Sequence, residues 1–160
     1  MKNYFETFNF PIDFDLDLEI LEKKYLEFQN QFHPDKSGLD DISKSIEINE
    51  AYKILSDNFL RICHILQLQN IDILSDEKAA KVDFSTLASI LELQEKISEI
   101  ADKNEVKNLE EKLNNEIKFL IASAVKCYKT NDLALATQFL IKVKYLKKSL
   151  QDLKIKKQKL

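Results

Sequence analysis

Apolar residues recur three and four positions apart along most of the chain, which is the spacing of one face of an α-helix. In the first clear segment this repeat consists of Leu18, Leu21, Tyr25, Phe28 and Phe32. Pro34 disfavours helical geometry at His33, so we expect this helix to end at about Phe32. Asp15 or Asp17 can cap its start, because a carboxylate accepts hydrogen bonds from free backbone N–H groups.

A second helix is predicted after the loop at 36–38, with Asp40 or Asp41 as its cap. Its expected core face consists of Ile42, Ile46, Ile48, Ala51, Tyr52 and Leu55. A polar break at 56–58 precedes a short helix. The apolar positions of that short helix are Phe59, Ile62, Cys63 and Leu66.

Residues 69–82 show little periodicity and predict a linker, after which three longer helices follow. We expect these helices at about 84–101, 105–128 and 133–153, with a turn and a cap supplied by residues 130–132. The core positions of the middle helix are Val106, Leu109, Leu113, Ile117, Leu120 and Ala124. Short connections make neighbouring helices antiparallel, so the three should form a small bundle.

The composition favours an all-α fold, because the 160 residues include only one Gly and two Pro. The N-terminus resembles neither a signal peptide nor a transit sequence, and no apolar run approaches the ~20 residues that span a membrane. We therefore expect a cytoplasmic protein without membrane contact. Cys63 and Cys127 are too few for a metal site and are predicted to be buried thiols.

Charge is unevenly distributed, with a net charge of −7 over residues 1–60 and +4 over the remainder. The basic excess lies near the C-terminus, at Lys142, Lys144, Lys147, Lys148, Lys154, Lys156, Lys157 and Lys159. Such a run can bind nucleic acid, which is one alternative for the function of the chain. More often such a run is the solvated face of a last helix, where the helix dipole favours lysines near the C-terminal end, and we predict no nucleic-acid partner.

The tripeptide His33-Pro34-Asp35 stands between the first two of these helices. Together with the string Ile48–Leu55 and the opening Asn3-Tyr4-Phe5, this arrangement resembles J-domains, which trigger ATP hydrolysis in DnaK-type chaperones. The resemblance covers residues 1–66. It implies that the chain performs no catalysis itself and instead activates another protein.

In J-domains the HPD loop contacts the nucleotide-binding domain and interdomain linker of the chaperone. The resemblance therefore implies chaperone-binding roles for His33, Pro34, Asp35 and Lys36, and for Lys23 and Lys24 on the preceding helix. That helix is usually basic in J-domains, whereas here the two lysines are accompanied by Glu19, Glu22 and Glu27. Either the partner is less acidic than usual, or electrostatic steering is weak.

A J-domain followed by a small helical bundle, with Leu91-Glu92-Leu93-Gln94-Glu95 on the first bundle helix, is similar to the HscB family. Proteins of that family bring the iron–sulfur scaffold IscU to the chaperone HscA. The resemblance implies an L-shaped all-α protein with a four-helix J-domain at 1–70, a linker at 71–83 and a three-helix bundle at 84–160. It also implies an HscA/DnaK-type chaperone and an IscU-type scaffold as partners.

The first bundle helix carries two apolar stripes, although a three-helix bundle needs only one. Ile90, Leu93, Ile97 and Ile100 form the expected bundle face. A second stripe, roughly 130° away, contains Phe84, Leu87 and Leu91 and must meet a partner or the J-domain. Tyr145 is expected on nearly the opposite side of the last helix from its core face.

The client surface of HscB proteins matches Leu87, Ala88, Leu91, Glu92, Glu95 and Tyr145 in this chain. The family often has a larger apolar residue in place of Ala88. The alternative is that Phe84 and Leu87 pack the two domains together. No catalytic or metal-binding spacing surrounds His33 or His64, so we predict a co-chaperone without a cofactor. A J-protein with a different client is the alternative within this class.

Overall fold

The computed structural model describes residues 2–32, 39–75 and 82–160. The described residues contain seven α-helices and no strand, which confirms the predicted all-α fold. The helices are α1 (Tyr4–Thr7), α2 (Leu18–Gln31), α3 (Leu39–Ser56), α4 (Asn58–Gln67), α5 (Phe84–Glu99), α6 (Lys103–Lys129) and α7 (Leu133–Lys159). The chain divides into two compact units, residues 1–71 and 72–160.

The helix boundaries of the first unit follow from its capping residues. The Asp17 carboxylate accepts hydrogen bonds from the backbone N–H groups of Glu19 and Ile20, at 2.9 and 3.1 Å, so α2 begins at Leu18. Asp57 accepts from the N–H of Leu60 and starts α4 in the same way. A cap of this kind typically contributes ~1 kcal/mol.

The predicted caps of α3 are wrong, because this helix already begins at Leu39 and both aspartates lie inside it. The predicted core face of α3 is half correct. Ile48, Ala51 and Leu55 are buried, whereas Ile42 and Ile46 are exposed. At 100° per residue these two isoleucines lie on the opposite side of the helix from Ile48.

Helix α2 packs against α3 through aromatic stacking and side-chain hydrogen bonds. The rings of Tyr25 and Tyr52 are stacked with centroids 4.0 Å apart. The Tyr25 hydroxyl donates to Asn49 Oδ1 at 2.9 Å, and Gln29 Nε2 donates to the same oxygen at 2.7 Å. This contact fixes the register of the two helices. The predicted core face of α2 is wrong at one position, because Leu18 is exposed.

Two polar side chains are buried in α4. Nε2 of His64 accepts a hydrogen bond from the Tyr4 backbone N–H at 3.2 Å, and its ring lies 4.9 Å from that of Tyr4. Burial lowers the pKa of His64 below its usual value, although a hydrogen bond with Gln67 acts in the opposite direction. Arg61 donates to the Leu55 carbonyl oxygen at 2.6 Å and lies over the Phe14 ring. Both residues therefore connect α4 to other segments of its unit.

The second unit contains α5, α6 and α7. Gln94 on α5 bonds Ser149 on α7, and the Ser98 carbonyl oxygen one turn later accepts from Lys156, so α5 and α7 run in the same direction. Helix α6 is antiparallel to α7, since Glu116 pairs with Lys142 and the earlier Glu110 pairs with Lys157. All six predicted core positions of α6 are buried.

The connection between α6 and α7 confirms the predicted turn and cap. Asn131 has φ 61°, a left-handed conformation that Asn tolerates better than most residues. The Asp132 carboxylate accepts from the Leu135 N–H at 3.1 Å. Helix α7 then continues to Lys159, beyond the predicted end at 153. Cys63 is buried, as predicted, but Cys127 is only half-buried.

Candidate functional site

Helix α5 begins with a strongly hydrogen-bonded cap. The Asp83 carboxylate accepts from the Ser85 hydroxyl, the Thr86 N–H and the Thr86 hydroxyl at 2.7 to 2.8 Å. These bonds, that of Ser85 first, lower the pKa of Asp83 to about 2 from 3.8. The first turn of α5 is therefore held in place by an ionised side chain.

Helix α5 has two apolar faces, as the sequence predicts. Ile90 and Ile97 are buried in the bundle. On the second stripe Leu87 is 44% exposed and Leu91 is 58% exposed, while Ala88 is half-buried. Exposed leucines on consecutive turns form an apolar strip that is available to another molecule.

Tyr145 lies next to this strip because of the register between α5 and α7. Gln94 Nε2 lies 3.0 Å from Ser149 Oγ and 3.2 Å from Asp152 Oδ2. Leu91 precedes Gln94 by about one turn, and Tyr145 precedes Ser149 by about one turn. Because α5 and α7 are parallel, the same side of the bundle carries Leu91 and Tyr145.

Tyr145 is half-buried and lies, as the helical repeat predicts, nearly opposite the predicted core face of α7. Helix α7 has partners on two sides, so its buried residues occupy most of its circumference. Ile141, Leu146 and Ser149 are buried outside the predicted core face of α7. Tyr145 therefore lies on the flank of α7 that faces α5. We use "α5–α7 edge" for the surface formed by Leu87, Leu91 and Tyr145.

The two predicted acidic residues lie in different surroundings. Glu95 is exposed and shares the helical sector of Leu91, so it borders the α5–α7 edge. Glu92 instead lines an open groove between α5 and α6, beside Lys96, Lys112 and Lys142. The structure thus places Leu87, Leu91, Glu95 and Tyr145 on or beside the α5–α7 edge, whereas Ala88 lies between this edge and Glu92, which borders the groove.

The groove between α5 and α6 exists because these helices are widely spaced. No Cα atom of α5 lies within 8 Å of one in α6, whereas both helices pack on α7. The wider part of the groove measures about 470 Å³ and is lined by Lys96, Glu99, Ile100, Glu105, Asn108, Leu109 and Lys112. Charges of both signs line it, so it has no clear preference for an anion or a cation.

The residues predicted to bind a chaperone are only partly described. His33, Pro34, Asp35 and Lys36 lie outside the described residues. Lys23 is exposed on α2. Lys24 instead donates to the Phe8 carbonyl oxygen at 2.6 Å and lies 4.5 Å from the centre of the Phe10 ring. An intramolecular contact therefore already engages the charge of Lys24.

Several lysines of α7 are also engaged within the protein. Lys142 lies 2.8 Å from Glu116, and Lys157 lies 3.3 Å from Glu110. Lys156 donates to the Ser98 carbonyl oxygen at 2.8 Å. These contacts match the interpretation of the lysine run as a helix surface with neighbouring partners, and they disfavour a continuous nucleic-acid-binding stripe.

Two residues of this region have roles that the sequence analysis did not identify. Gln94 joins α5 to α7, but nothing in the sequence indicates its partner because the partner depends on helix register. Phe119 on α6 is 70% exposed. It lies one turn after Glu116 on α6, and its position off the core repeat was the available signal.

The described ranges contain neither a candidate metal site nor a candidate membrane span. Within residues 2–32, 39–75 and 82–160, no group of three or more His, Cys, Asp and Glu side chains could hold a metal ion. Among the helices in that part of the chain, none is long and apolar enough to cross a bilayer.

Comparison with known proteins accounts for both units. A family model described as "HSCB C-terminal oligomerisation domain" matches residues 82–154. A protein of Acinetobacter baumannii, described as "Co-chaperone protein HscB homolog", is 33% identical over 153 residues, which cover 94% of this chain and 88% of that protein. The chain belongs to the HscB family of co-chaperones.

Other members of the HscB family support this assignment. The Haemophilus influenzae protein with the same description is 28% identical and covers 96% of this chain and 94% of its own length. The solved structure of HscB from Vibrio cholerae is 26% identical, with a TM-score of 0.79 and coverage of 99% and 100%. Human HscB, at 23% identity and a TM-score of 0.86 over 100% of this chain and 84% of its own, shares the fold.

Membership in the HscB family confirms the predicted organisation of a J-domain followed by a helical bundle. The first unit, with α1 to α4, is the J-domain, and α5 to α7 form the bundle. The family model matches the part of the chain that contains the α5–α7 edge. This HscB-family surface is therefore the candidate for binding another protein.

Proposed function

We propose that this HscB-family chain stimulates the ATPase of an HscA/DnaK-type chaperone through its HPD loop and delivers an IscU-type scaffold through its bundle. The observation that carries the proposal is the match to co-chaperones over 94% of the chain, since it spans both the HPD-containing and the bundle regions.

The chaperone-binding part of the proposal depends on the chemistry of the HPD sequence. Pro34 restricts the backbone on either side of itself, so the loop loses less conformational entropy when it binds. Asp35 offers a carboxylate to an Arg of the chaperone, and charge-assisted bonds of this type are among the stronger polar contacts. His33 and Lys36 flank the pair, with Lys23 as an exposed cation on α2.

The client-binding part of the proposal depends on the α5–α7 edge. Two half-exposed leucines lie beside Tyr145, with Glu95 at their border, which suits a partner with an apolar centre and basic groups around it. Ala88 contributes little area to such a contact. Glu92 borders the groove one turn before Glu95, so a client that also covers the mouth of the groove would reach it.

Binding both partners on one chain would make the transfer of the client efficient. A scaffold held on the bundle is tethered to the chaperone that occupies the J-domain, which raises its effective concentration there. The chaperone and the scaffold can then each bind the chain weakly and still meet each other efficiently. The chain would serve as an adaptor that raises the ATPase rate of the chaperone and leaves the scaffold bound to it.

The test of this proposal is the single-turnover and steady-state ATPase of an HscA-type chaperone from the same cell. Asp35→Ala should abolish stimulation and His33→Gln should do the same, with the circular dichroism of both variants unchanged. Glu111→Gln, exposed on α6 in the other unit, is a control of the same chemical type that should retain the stimulation. Unchanged stimulation by folded Asp35→Ala would refute the chaperone-binding role.

A pull-down with the wild-type chain tests the identity of the client. Recovery of an IscU-type scaffold together with the chaperone is the expected result. Recovery of the chaperone with a different protein would support a J-protein that serves another client. Retention of nucleic acid with a steep salt dependence would favour the nucleic-acid alternative.

A further inference from the structure

Phe84 is the most exposed large apolar residue of the described chain, at 86%. It lies on the same sector of α5 as Leu87 and Leu91, because positions 84, 87 and 91 fall within about 60° of one another on a helix. The apolar strip of the α5–α7 edge therefore continues one turn towards the start of α5. Together with the two leucines, the Phe84 ring makes a contiguous exposed apolar patch, and such patches mark interaction sites.

The first turn of α5 keeps the backbone of Phe84 in a fixed position. Its neighbours Ser85 and Thr86 are both bonded to the Asp83 carboxylate, and the Leu87 N–H bonds the Asp83 carbonyl oxygen at 3.1 Å. Helix ends without such bonds fray, whereas here the side-chain cap of Asp83 binds the Thr86 N–H and both neighbouring hydroxyl groups. A partner that binds Phe84 therefore needs to order only the side-chain torsions and not the backbone.

We propose that Phe84 is an anchor of the client-binding surface and inserts into an aromatic-sized apolar pocket of the same client that covers Leu87 and Leu91. This inference rests on the proposed function. It also explains how a bundle with a small Ala88 offers enough apolar area. Phe84 adds apolar surface area one turn before Leu87, beside the Asp83 cap of α5.

The charges at the two ends of the strip define the partner further. Asp83 lies beside Phe84, and Glu95 lies 12 residues later, which is about 18 Å along the helix. Both carboxylates are exposed. The client should therefore present an apolar pocket or groove with basic groups near both of its ends.

The experiment compares Phe84→Ala with Phe119→Ala. Phe119 is a matched control because it is also an exposed phenylalanine, but it lies on α6 and not on either helix of the α5–α7 edge. Phe84→Ala should weaken binding of a purified IscU-type scaffold at least tenfold in a calorimetric titration, as expected for an interface anchor. Phe84→Trp should restore most of the affinity, and Phe119→Ala should bind like the wild type.

Two further measurements separate binding from folding. The thermal melt of Phe84→Ala and its stimulation of the chaperone ATPase without scaffold should both match the wild type. Undiminished scaffold binding by Phe84→Ala overturns the inference, as does an equal loss in Phe119→Ala. A lowered melting temperature would show that Phe84 packs within the protein and would also overturn it. If the wild type does not bind the scaffold, the proposed client is wrong.

Discussion

Replacing both leucines of the α5–α7 edge by alanine should separate client binding from stability. Leu87 and Leu91 are 44% and 58% exposed, so together they leave about one complete leucine open to a partner. Burying that much side chain typically contributes ~1.5–3 kcal/mol. The double variant Leu87→Ala with Leu91→Ala should therefore bind the scaffold about 10- to 150-fold more weakly.

The same variant should remain folded. The buried portions of the two side chains also amount to about one leucine, and alanine retains part of that contact without leaving a closed cavity. We expect the free energy of unfolding to fall by about 1–2 kcal/mol. The core variant Leu113→Ala is the comparison, because its side chain is buried and its loss should cost ~2–5 kcal/mol.

Calorimetric titration with the scaffold and urea unfolding of the same samples measure the two quantities. Leu113→Ala, studied at a temperature where it is folded, should bind almost normally despite its lower stability. A double variant that loses several kcal/mol of stability would mean that Leu87 and Leu91 belong to a core. A stable double variant with undiminished binding would place the client surface elsewhere on the bundle.

Two further predictions concern the stability of each unit. Because the pKa of His64 is lowered on folding, the unfolded chain binds the additional proton first, and stability should fall as the pH drops below ~6.5, by at most ~1.4 kcal/mol per pH unit. Urea unfolding between pH 8 and 5.5 checks this, and an identical slope in His64→Gln would contradict the assignment to His64. In the bundle, Asp132→Ala removes the cap of α7 and should cost about 0.5–2 kcal/mol in the same assay, whereas Gln138→Ala, at an exposed position of α7, should cost less than ~0.5 kcal/mol.

Local rules predicted most of the fold of this chain. The core of α6 follows from a single uninterrupted repeat, and the starts of α2, α4 and α7 follow from aspartates that cap helices. Ile42 and Ile46 were assigned wrongly because α3 carries apolar residues on more than one side. Which side is buried depends on where α1, α2 and α4 pack, and periodicity alone does not contain that information.

The candidate site was predictable only in part. The second apolar stripe of α5 is visible in the sequence, and Leu87 and Leu91 lie where the helical repeat puts them. The position of Tyr145 next to them depends on the bond between Gln94 and Ser149, which joins residues 55 positions apart. The different surroundings of Glu92 and Glu95 likewise depend on the location of α6, which a single-helix projection omits.

The wide spacing between α5 and α6 leaves the outer side of α5 free to change its sequence during evolution. Helix α5 contacts the long α6–α7 hairpin only through α7. A substitution on the outer side of α5 can therefore affect only the interface between α5 and α7, and it leaves the interface between α6 and α7 intact. Random mutation can therefore sample new residues on that outer side while the hairpin keeps the domain folded. Lineages that change their client could remodel α5 alone, and laboratory selection for new clients should accumulate its substitutions there.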